Sequence, residues 1–215
     1  MPKAIALILV ATIAVATTSC QADPLAGKER SVYVVGDSIV AGAAWNNDAR
    51  FAEPAPDGYA VKVDAFMGQT VADHIDQVRS YAADNTPERL VIELGTNDAR
   101  NDGGWTASDE AAYRALVDAA PERTCITFVL PHAGPGASAF ERTEIERAAT
   151  SIRGIAAAEP RHVVADFGAF IDGHPDLIAA DGIHLRVDDD DAQAVKDAYR
   201  DWLWPFVADC AGAPA

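Results

Sequence analysis

Four short stretches, far apart in the chain, carry residue types that together could run acyl chemistry. Ser38 lies in Val34-Val35-Gly36-Asp37-Ser38-Ile39, where a β-branched run meets small and apolar residues able to begin a helix. Gly-Asp-Ser at that join reads as a tight strand-to-helix turn. A hydroxyl held there stands above the carboxyl edge of a sheet, where open α/β sheets bind ligands. It also sits beside the free N–H groups of a helix start, which favour negative charge. A nucleophile attacking a carbonyl uses both features, although the same triplet is a common turn with an N-cap. Asp181 and His184, in Asp181-Gly182-Ile183-His184, are three residues apart. A turn there would set the carboxylate on the imidazole, fix its tautomer and stabilise its protonated form, as a base serving a hydroxyl requires. An Asp-Gly turn beside an unrelated histidine fits equally well. Asn97, in Gly95-Thr96-Asn97-Asp98, offers an NH₂ donor or ordinary turn chemistry. Gly68, in Phe66-Met67-Gly68-Gln69-Thr70, offers a backbone N–H that no side chain screens, or simply a turn.

These residues need a scaffold, and the chain supplies an alternating one. Apolar or β-branched runs recur at Ser31–Val35, Ala60–Ala65, Arg89–Leu94, Cys125–Leu130 and His162–Asp166. Helical stripes lie between them: Val71, Ile75 and Val78; Ala112, Leu116 and Ala119; Ile145, Ala148, Ile152 and Ile155. Ala194, Ala198, Trp202 and Phe206 mark a last helix with Pro205 near its end, and they place Trp202 in the core. Strand and helix in alternation predict an α/β fold with a parallel sheet covered on both faces. Near-continuous apolar strands agree with burial on both sides. Each candidate residue then falls in a loop just past a strand or before the last helix. The chain shows no repeat, no low-complexity segment and no linker between domains.

The ends read differently. Lys3 followed by the apolar run Ala4 to Thr17 has the form of a signal peptide and is short for a membrane span. Thr17-Thr18-Ser19-Cys20 is similar to the bacterial lipobox, with Thr17 where leucine is usual. Lipidation of Cys20 and plain cleavage near Ala22 both stay open. Residues 21–30 read as a polar tether, 31–210 as one domain and 211–215 as a tail. The formal charge is −16, and losing Lys3 with the leader makes it −17. Such a surface repels nucleic acid and anionic lipid, leaving a lipid anchor at Cys20 as the one route to a membrane. With Cys20 set aside, Cys125 and Cys210 form an even pair that an oxidising compartment would bridge; two buried thiols are the alternative. His74, His132, His162 and His174 do not fall in metal-ligand spacings and are expected at the surface or in packing.

Taken in order, Gly36-Asp37-Ser38, Gly68, Gly95-Thr96-Asn97-Asp98 and Asp181-Gly182-Ile183-His184 resemble the four blocks of the SGNH/GDSL hydrolase family. The resemblance spans about residues 30 to 207. It implies a flavodoxin-like three-layer α/β/α sandwich with a five-stranded parallel sheet. By position it makes Ser38 the nucleophile, His184 the base and Asp181 its orienting carboxylate. The backbone N–H groups of Ser38 and Gly68 and the side chain of Asn97 become the oxyanion hole. No cofactor and no metal are implied. The activity implied is that of an exported serine esterase acting on O-acyl esters, acetyl or short-chain, with carbohydrate among the alcohols.

Two features qualify that expectation. His174-Pro175-Asp176-Leu177 and the block after it look like the equivalent stretch in SGNH domains attached to cell-surface acyltransferases, so transfer of the acyl group to glycan is the second enzymatic reading. Family members often continue the His-Leu pair with Thr and a Gly-containing turn. Here Arg186-Val187 and the run Asp188 to Asp191 follow, expected to cap and neutralise the start of the last helix. Trp45 and Trp105 either border the cleft or pack loops. A non-catalytic surface-binding module is the reading from another class, and loss of a catalytic position would mark it; all five positions are present. The acyl group, the alcohol and the oligomeric state are not legible.

Overall fold

The computed structural model describes residues 30–44, 48–55, 58–187 and 190–210. The leader with Cys20, the tether through residue 29, Trp45, Asp188, Asp189 and the tail 211–215 lie outside the described residues. The five strands are β1 (Ser31–Gly36), β2 (Ala60–Ala65), β3 (Arg89–Glu93), β4 (Cys125–Leu130) and β5 (Val163–Asp166). Each lies within one residue of an apolar run predicted above. They pair in parallel in the order β2-β1-β3-β4-β5.

Parallel neighbours need crossovers, and the crossovers are helices that cover the sheet. These are α1 (Ser38–Ala44), α2 (Asp48–Ala52), α3 (Val71–Asn85), α4 (Thr96–Arg100), α5 (Ala107–Ala119), α6 (Ala139–Ala156), α7 (Phe167–Gly173) and α8 (Ala192–Asp209), with a 3₁₀ turn at Pro175–Leu177. Successive strand residues point to opposite faces. Tyr33, Leu90, Ile92 and Phe128 therefore bury against Val78, Leu116 and Ile152 of α3, α5 and α6. Val32, Val34, Val91 and Val129 bury against Ile39, Phe167 and Leu203 of α1, α7 and α8. The result is the flavodoxin-like three-layer sandwich, with a mainly apolar core on each side of the sheet.

The chain begins in the middle of the sheet, steps outward to β2 and returns across β1 to β3. The switch of direction opens a crevice at the carboxyl ends of β1 and β3. Gly36-Asp37-Ser38 leaves one strand there and Gly95-Thr96-Asn97-Asp98 leaves the other. Gly36 lets β1 pass closely under α1: a Cβ on it would stand 2.7 Å from two side-chain atoms of Val40.

The last helix departs from its expected face. Its buried stripe is Val195, Tyr199, Leu203 and Val207, one position on from Ala194, Ala198, Trp202 and Phe206. Ala194 is exposed and Trp202 is half-buried, its ring stacked on Phe170 at 4.8 Å. Both sets have helical spacing, and one residue turns a helix by about 100°, so the contact surface decides between them. Tyr199, Leu203 and Val207 fill the sheet face, and the Trp202 stripe packs beside it.

Cys125 at the start of β4 is paired with Cys210, which follows α8, at a Cα–Cα separation of 5.6 Å. The bridge ties the last helix to a central strand across 85 residues of sequence. For a loop of that length the chain-entropy model gives about 4–5 kcal/mol as an upper bound. In the native protein neither cysteine should react with an alkylating reagent. Reduction, or Cys210→Ser, should lower the melting temperature by up to roughly 8–20 °C. Two alkylatable thiols found by mass spectrometry without reduction would refute the pairing.

Candidate active site

Ser38 opens α1 directly after the strand, and its position is fixed by the residue before it. Asp37 is fully buried, and its Oδ1 accepts the Ile39 N–H at 3.0 Å, capping α1 one residue beyond Ser38. Its own N–H donates to the Glu93 carbonyl at 3.2 Å, joining the ends of β1 and β3. Its Oδ2 accepts a hydrogen bond from Asn97 Nδ2 at 3.2 Å. The side chain of Glu93, also buried, lies beside it. Two carboxyl groups out of water cannot both ionise cheaply. Burial, then the Asp37 charge, pushes Glu93 well above the ordinary carboxyl range. Burial raises Asp37 too, offset by the Ile39 N–H. The proton of the pair therefore resides on Glu93, while Asp37 is held by the Ile39 N–H and by Asn97. The sequence reading passed over this pair. Its one signal was an acidic residue inside a strand that is otherwise apolar and covered on both faces.

The second arm of the site comes from the stretch before α8. Ile178 and Leu185 form an isolated antiparallel bridge. Between them the chain folds back, with Ala179 N–H on the His184 carbonyl at 2.7 Å and Gly182 N–H on the Ala179 carbonyl at 2.9 Å. Gly182 has φ +72°, and a Cβ there would stand 2.7 Å from the Ala137 nitrogen, so no other residue fits this turn. Asp181 Oδ1 accepts the N–H groups of Ile183 and His184 at 2.9 and 3.1 Å. Its Oδ2 lies 2.6 Å from His184 Nδ1. Partial burial pulls the Asp181 carboxyl upward, but the bonds from the His184 ring and the two N–H groups outweigh it and hold the group below its usual range. An ionised carboxylate only accepts, so Nδ1 carries the ring proton of neutral His184. Nε2 is left as acceptor, 3.0 Å from Ser38 Oγ.

Residues 146 positions apart thus meet in one line of hydrogen bonds, Ser38 to His184 to Asp181. Such a line can draw a proton from the serine hydroxyl and return it to a leaving group. Asn97 stands on the other side of Asp37. Its Nδ2 also donates to the Gln69 carbonyl at 2.9 Å, fastening the β3 loop to the loop that holds Gly68. Gly68 is exposed with φ +77°, and a Cβ there would meet nothing within 4 Å. Asp98, the next residue in the β3 loop, receives the Val71 N–H on both oxygens at 3.2 Å and so anchors the start of α3. All four sequence blocks converge on this crevice.

Beside Ser38 lies a cavity of about 770 Å³, walled by Ala41 and Gly42 of α1, the Phe66–Met67 loop and the segment from Ala179 to Val187. Trp105 does not border it. That ring is buried in the core against Tyr113, 6.4 Å between centroids, because the Gly95 turn leaves room for it there. The other histidines are packing residues: His74 is fully buried, His132 meets the edge of Phe167, His162 Nδ1 accepts the Ile126 N–H, and His174 Nδ1 meets the Phe170 carbonyl. Among the described residues no group of three or more His, Cys, Asp or Glu is arranged to hold a metal ion. Asp191 occupies the cap position of α8 without a side-chain cap bond, so the expected capping by the acidic run is not made by this residue.

Residues 34–188 match the model of the GDSL-like Lipase/Acylhydrolase family. The chain belongs to this family. The matched segment contains Ser38, Gly68, Asn97, Asp181 and His184. No curated protein sequence matches the chain. Among solved structures, it is similar to the C-terminal catalytic domain of Streptococcus pneumoniae peptidoglycan O-acetyltransferase A, with TM-score 0.68 and 18% identity over 86% of this chain and 96% of that one. A lipase/acylhydrolase from Enterococcus faecalis gives 0.64 and 19% over 87% and 100%. An acetylxylan esterase from Geobacillus stearothermophilus gives 0.63 and 16% over 84% and 95%. At these identities the likeness is one of fold, and this GDSL-like chain must be read from its own site.

That site has a pH signature. Burial raises the Asp98 carboxyl from 3.8 to about 6. The folded protein then holds this proton more tightly than the unfolded chain. The contribution to stability is full below about pH 4 and is lost as pH rises through about 6. Asp98→Asn should gain urea midpoint relative to the parent between pH 4 and pH 7.5. A difference that stays constant over that range would show that Asp98 titrates as an ordinary carboxyl. The comparison with the parent cancels carboxyls held low, such as Asp181 and Glu141.

Proposed function

We propose that this GDSL-family chain is an exported serine esterase that cleaves O-acyl esters through an acyl-enzyme. The hydrogen-bonded line from Ser38 Oγ through His184 to Asp181 carries this reading. In the first half, His184 Nε2 takes the Ser38 proton as Oγ attacks the carbonyl, then gives it to the departing alcohol. In the second half, His184 activates water against the Ser38 ester, and the acid leaves. Asp181 keeps the proton of neutral His184 on Nδ1 and stabilises the imidazolium formed in each half. Charge on the tetrahedral oxygen is met by the N–H groups of Ser38 and Gly68 and by Asn97 Nδ2. Both N–H groups of Asn97 Nδ2 are engaged in the free site, on Asp37 Oδ2 and on the Gln69 carbonyl, so Asn97 meets the charge by exchanging one of these bonds for the oxyanion. No cofactor is required by these steps.

The signal-like leader and the cysteine pair support export, with Cys20 as the anchor if it is lipidated. Acetyl and short-chain esters, carbohydrate esters among them, are the substrates to test first. Water reaches the acyl-enzyme from the His184 side, where Asp181 and Ala180 are exposed. Hydrolysis therefore dominates over transfer to an acceptor alcohol.

A fluorophosphonate should label the folded protein once, on Ser38, and Ser38→Ala should abolish both labelling and turnover while leaving the melting temperature near that of the parent. Labelling at another residue in an active preparation would overturn the assignment. With an activated acetyl ester and a large excess of oligosaccharide, free acetate should account for most of the ester consumed. Acetylated oligosaccharide as the main Ser38-dependent product would make the protein a transferase.

Asn97→Ala removes one oxyanion donor and leaves the triad intact. It should lower kcat by roughly 10²–10³ with little change in KM. An effect on KM alone would place Asn97 in substrate binding.

A further inference from the structure

The cavity beside Ser38 is built for hydrocarbon. Ser38 and Gly42 are one helical turn apart on α1, so they share a face with Ala41 at its side. The three small residues form a floor that runs away from the nucleophile. Ala65 and the Phe66–Met67 loop rise on one side, and Leu185 and Val187 on the other. A Cβ on Gly42 would touch Val187 Cγ2 at 3.6 Å, so the two residues face each other at the end of the floor. A methylene is about the size of a water, whose share of liquid volume is about 30 Å³. The cavity's volume of about 770 Å³ also takes in the side at Ala179 to Asp181, yet an acetyl group would occupy only a corner of what remains along α1.

A second observation concerns the lip. Phe66 is 47% exposed and Met67 is 81% exposed, and with Phe140 they are the large apolar side chains left most open among the described residues. Among the described residues none covers Met67. An unbranched thioether has the flexibility to close over a chain of variable shape.

We propose that this trough holds the acyl chain of a medium-chain ester, of about six to ten carbons, and that Gly42 sets the length it accepts. The inference rests on Ser38 being the nucleophile. Three directions leave the acyl carbon. Its oxygen faces the Gly68 and Asn97 donors. The leaving alcohol must lie against His184 Nε2, on the edge where Asp181 and Ala180 are exposed and water later enters. The remaining direction is the trough. Apart from Arg186, and from Asp181 and His184 at the nucleophile's end, the lining is apolar, so a hydroxylated leaving group beside Ala41, Gly42, Leu185 and Val187 would give up hydration for few hydrogen bonds. A hydrocarbon chain has no such penalty and gains by burial.

The test is kcat/KM over p-nitrophenyl esters from acetate to laurate, with the parent, Gly42→Leu and Met67→Ser. Burial of each methylene should raise the parent's kcat/KM on the order of threefold, up to about eight carbons. Gly42 has an ordinary helical φ, so leucine there adds bulk to the trough without backbone strain. Gly42→Leu should lose at least about tenfold on octanoate and stay within about twofold on acetate. Met67 is 81% exposed and outside the core, so Met67→Ser should keep the fold and lose severalfold on octanoate alone. Acetate preferred over octanoate by the parent would overturn the inference and leave the esterase reading standing. So would equal losses on both esters in Gly42→Leu that keeps the parent's melting temperature. A further arm compares octyl acetate with ethyl octanoate. Ethyl octanoate should be the better substrate, and preference for octyl acetate would assign the trough to the alcohol and refute the proposal. Absence of turnover on every ester, with Ser38 unlabelled by fluorophosphonate, would overturn the esterase reading itself.

Discussion

The site depends on one buried charge. Asp37 lies out of water between the ends of two central strands, and an ionised carboxylate is tolerated there only where donors surround it. Those donors are the structure's fasteners. The Ile39 N–H ties it to the first turn of α1, Asn97 Nδ2 to the loop after β3, and its own backbone N–H, on the Glu93 carbonyl, to β3 itself. Each bond that makes the charge tolerable also fixes a part of the chemistry, since Ser38 is the residue between Asp37 and Ile39. The nucleophile is held by its neighbours' hydrogen bonds, leaving its own hydroxyl free for His184.

The two arms of the site are built on different terms. Ser38 and Asn97 stand on the sheet, at the carboxyl ends of strands that are buried on both faces. Asp181 and His184 stand on a loop outside the sheet, closed by its own backbone bonds and by the Gly134 N–H on the Gly182 carbonyl at 2.6 Å. That contact places the loop against the chain after β4. His184 can therefore lie near the surface, while Ser38 and Asn97 stay on the rigid core.

The same economy shapes the trough. Ala41 and Gly42 leave space between α1 and the Val187 segment, and that space adjoins Ser38. Phe66 and Met67 stand free of the core on the loop beyond β2. Floor and lip are set by separate elements, neither of which carries Asp181 or His184.

Local order in the chain determined much of this. Strand positions were legible because a strand covered on both faces must be apolar throughout, and each apolar run became a strand within one residue. Ser38, Gly68, Asn97, Asp181 and His184 could be named as candidates because turn chemistry and family blocks are written in consecutive residues. Tertiary structure decided what consecutive residues cannot encode. The stripe of α8 shifted from Trp202 to Tyr199 and Leu203 because periodicity names residues that share a face, while packing against the sheet selects which face is buried. Trp105 went to the core because the Gly95 turn leaves space there. The proton on Glu93 follows from its burial and then from Asp37 beside it, a neighbour 56 residues away in sequence that the pairing of β1 with β3 supplies. A carboxyl's charge depends on the water and charges around it, and those are settled only when the chain has folded.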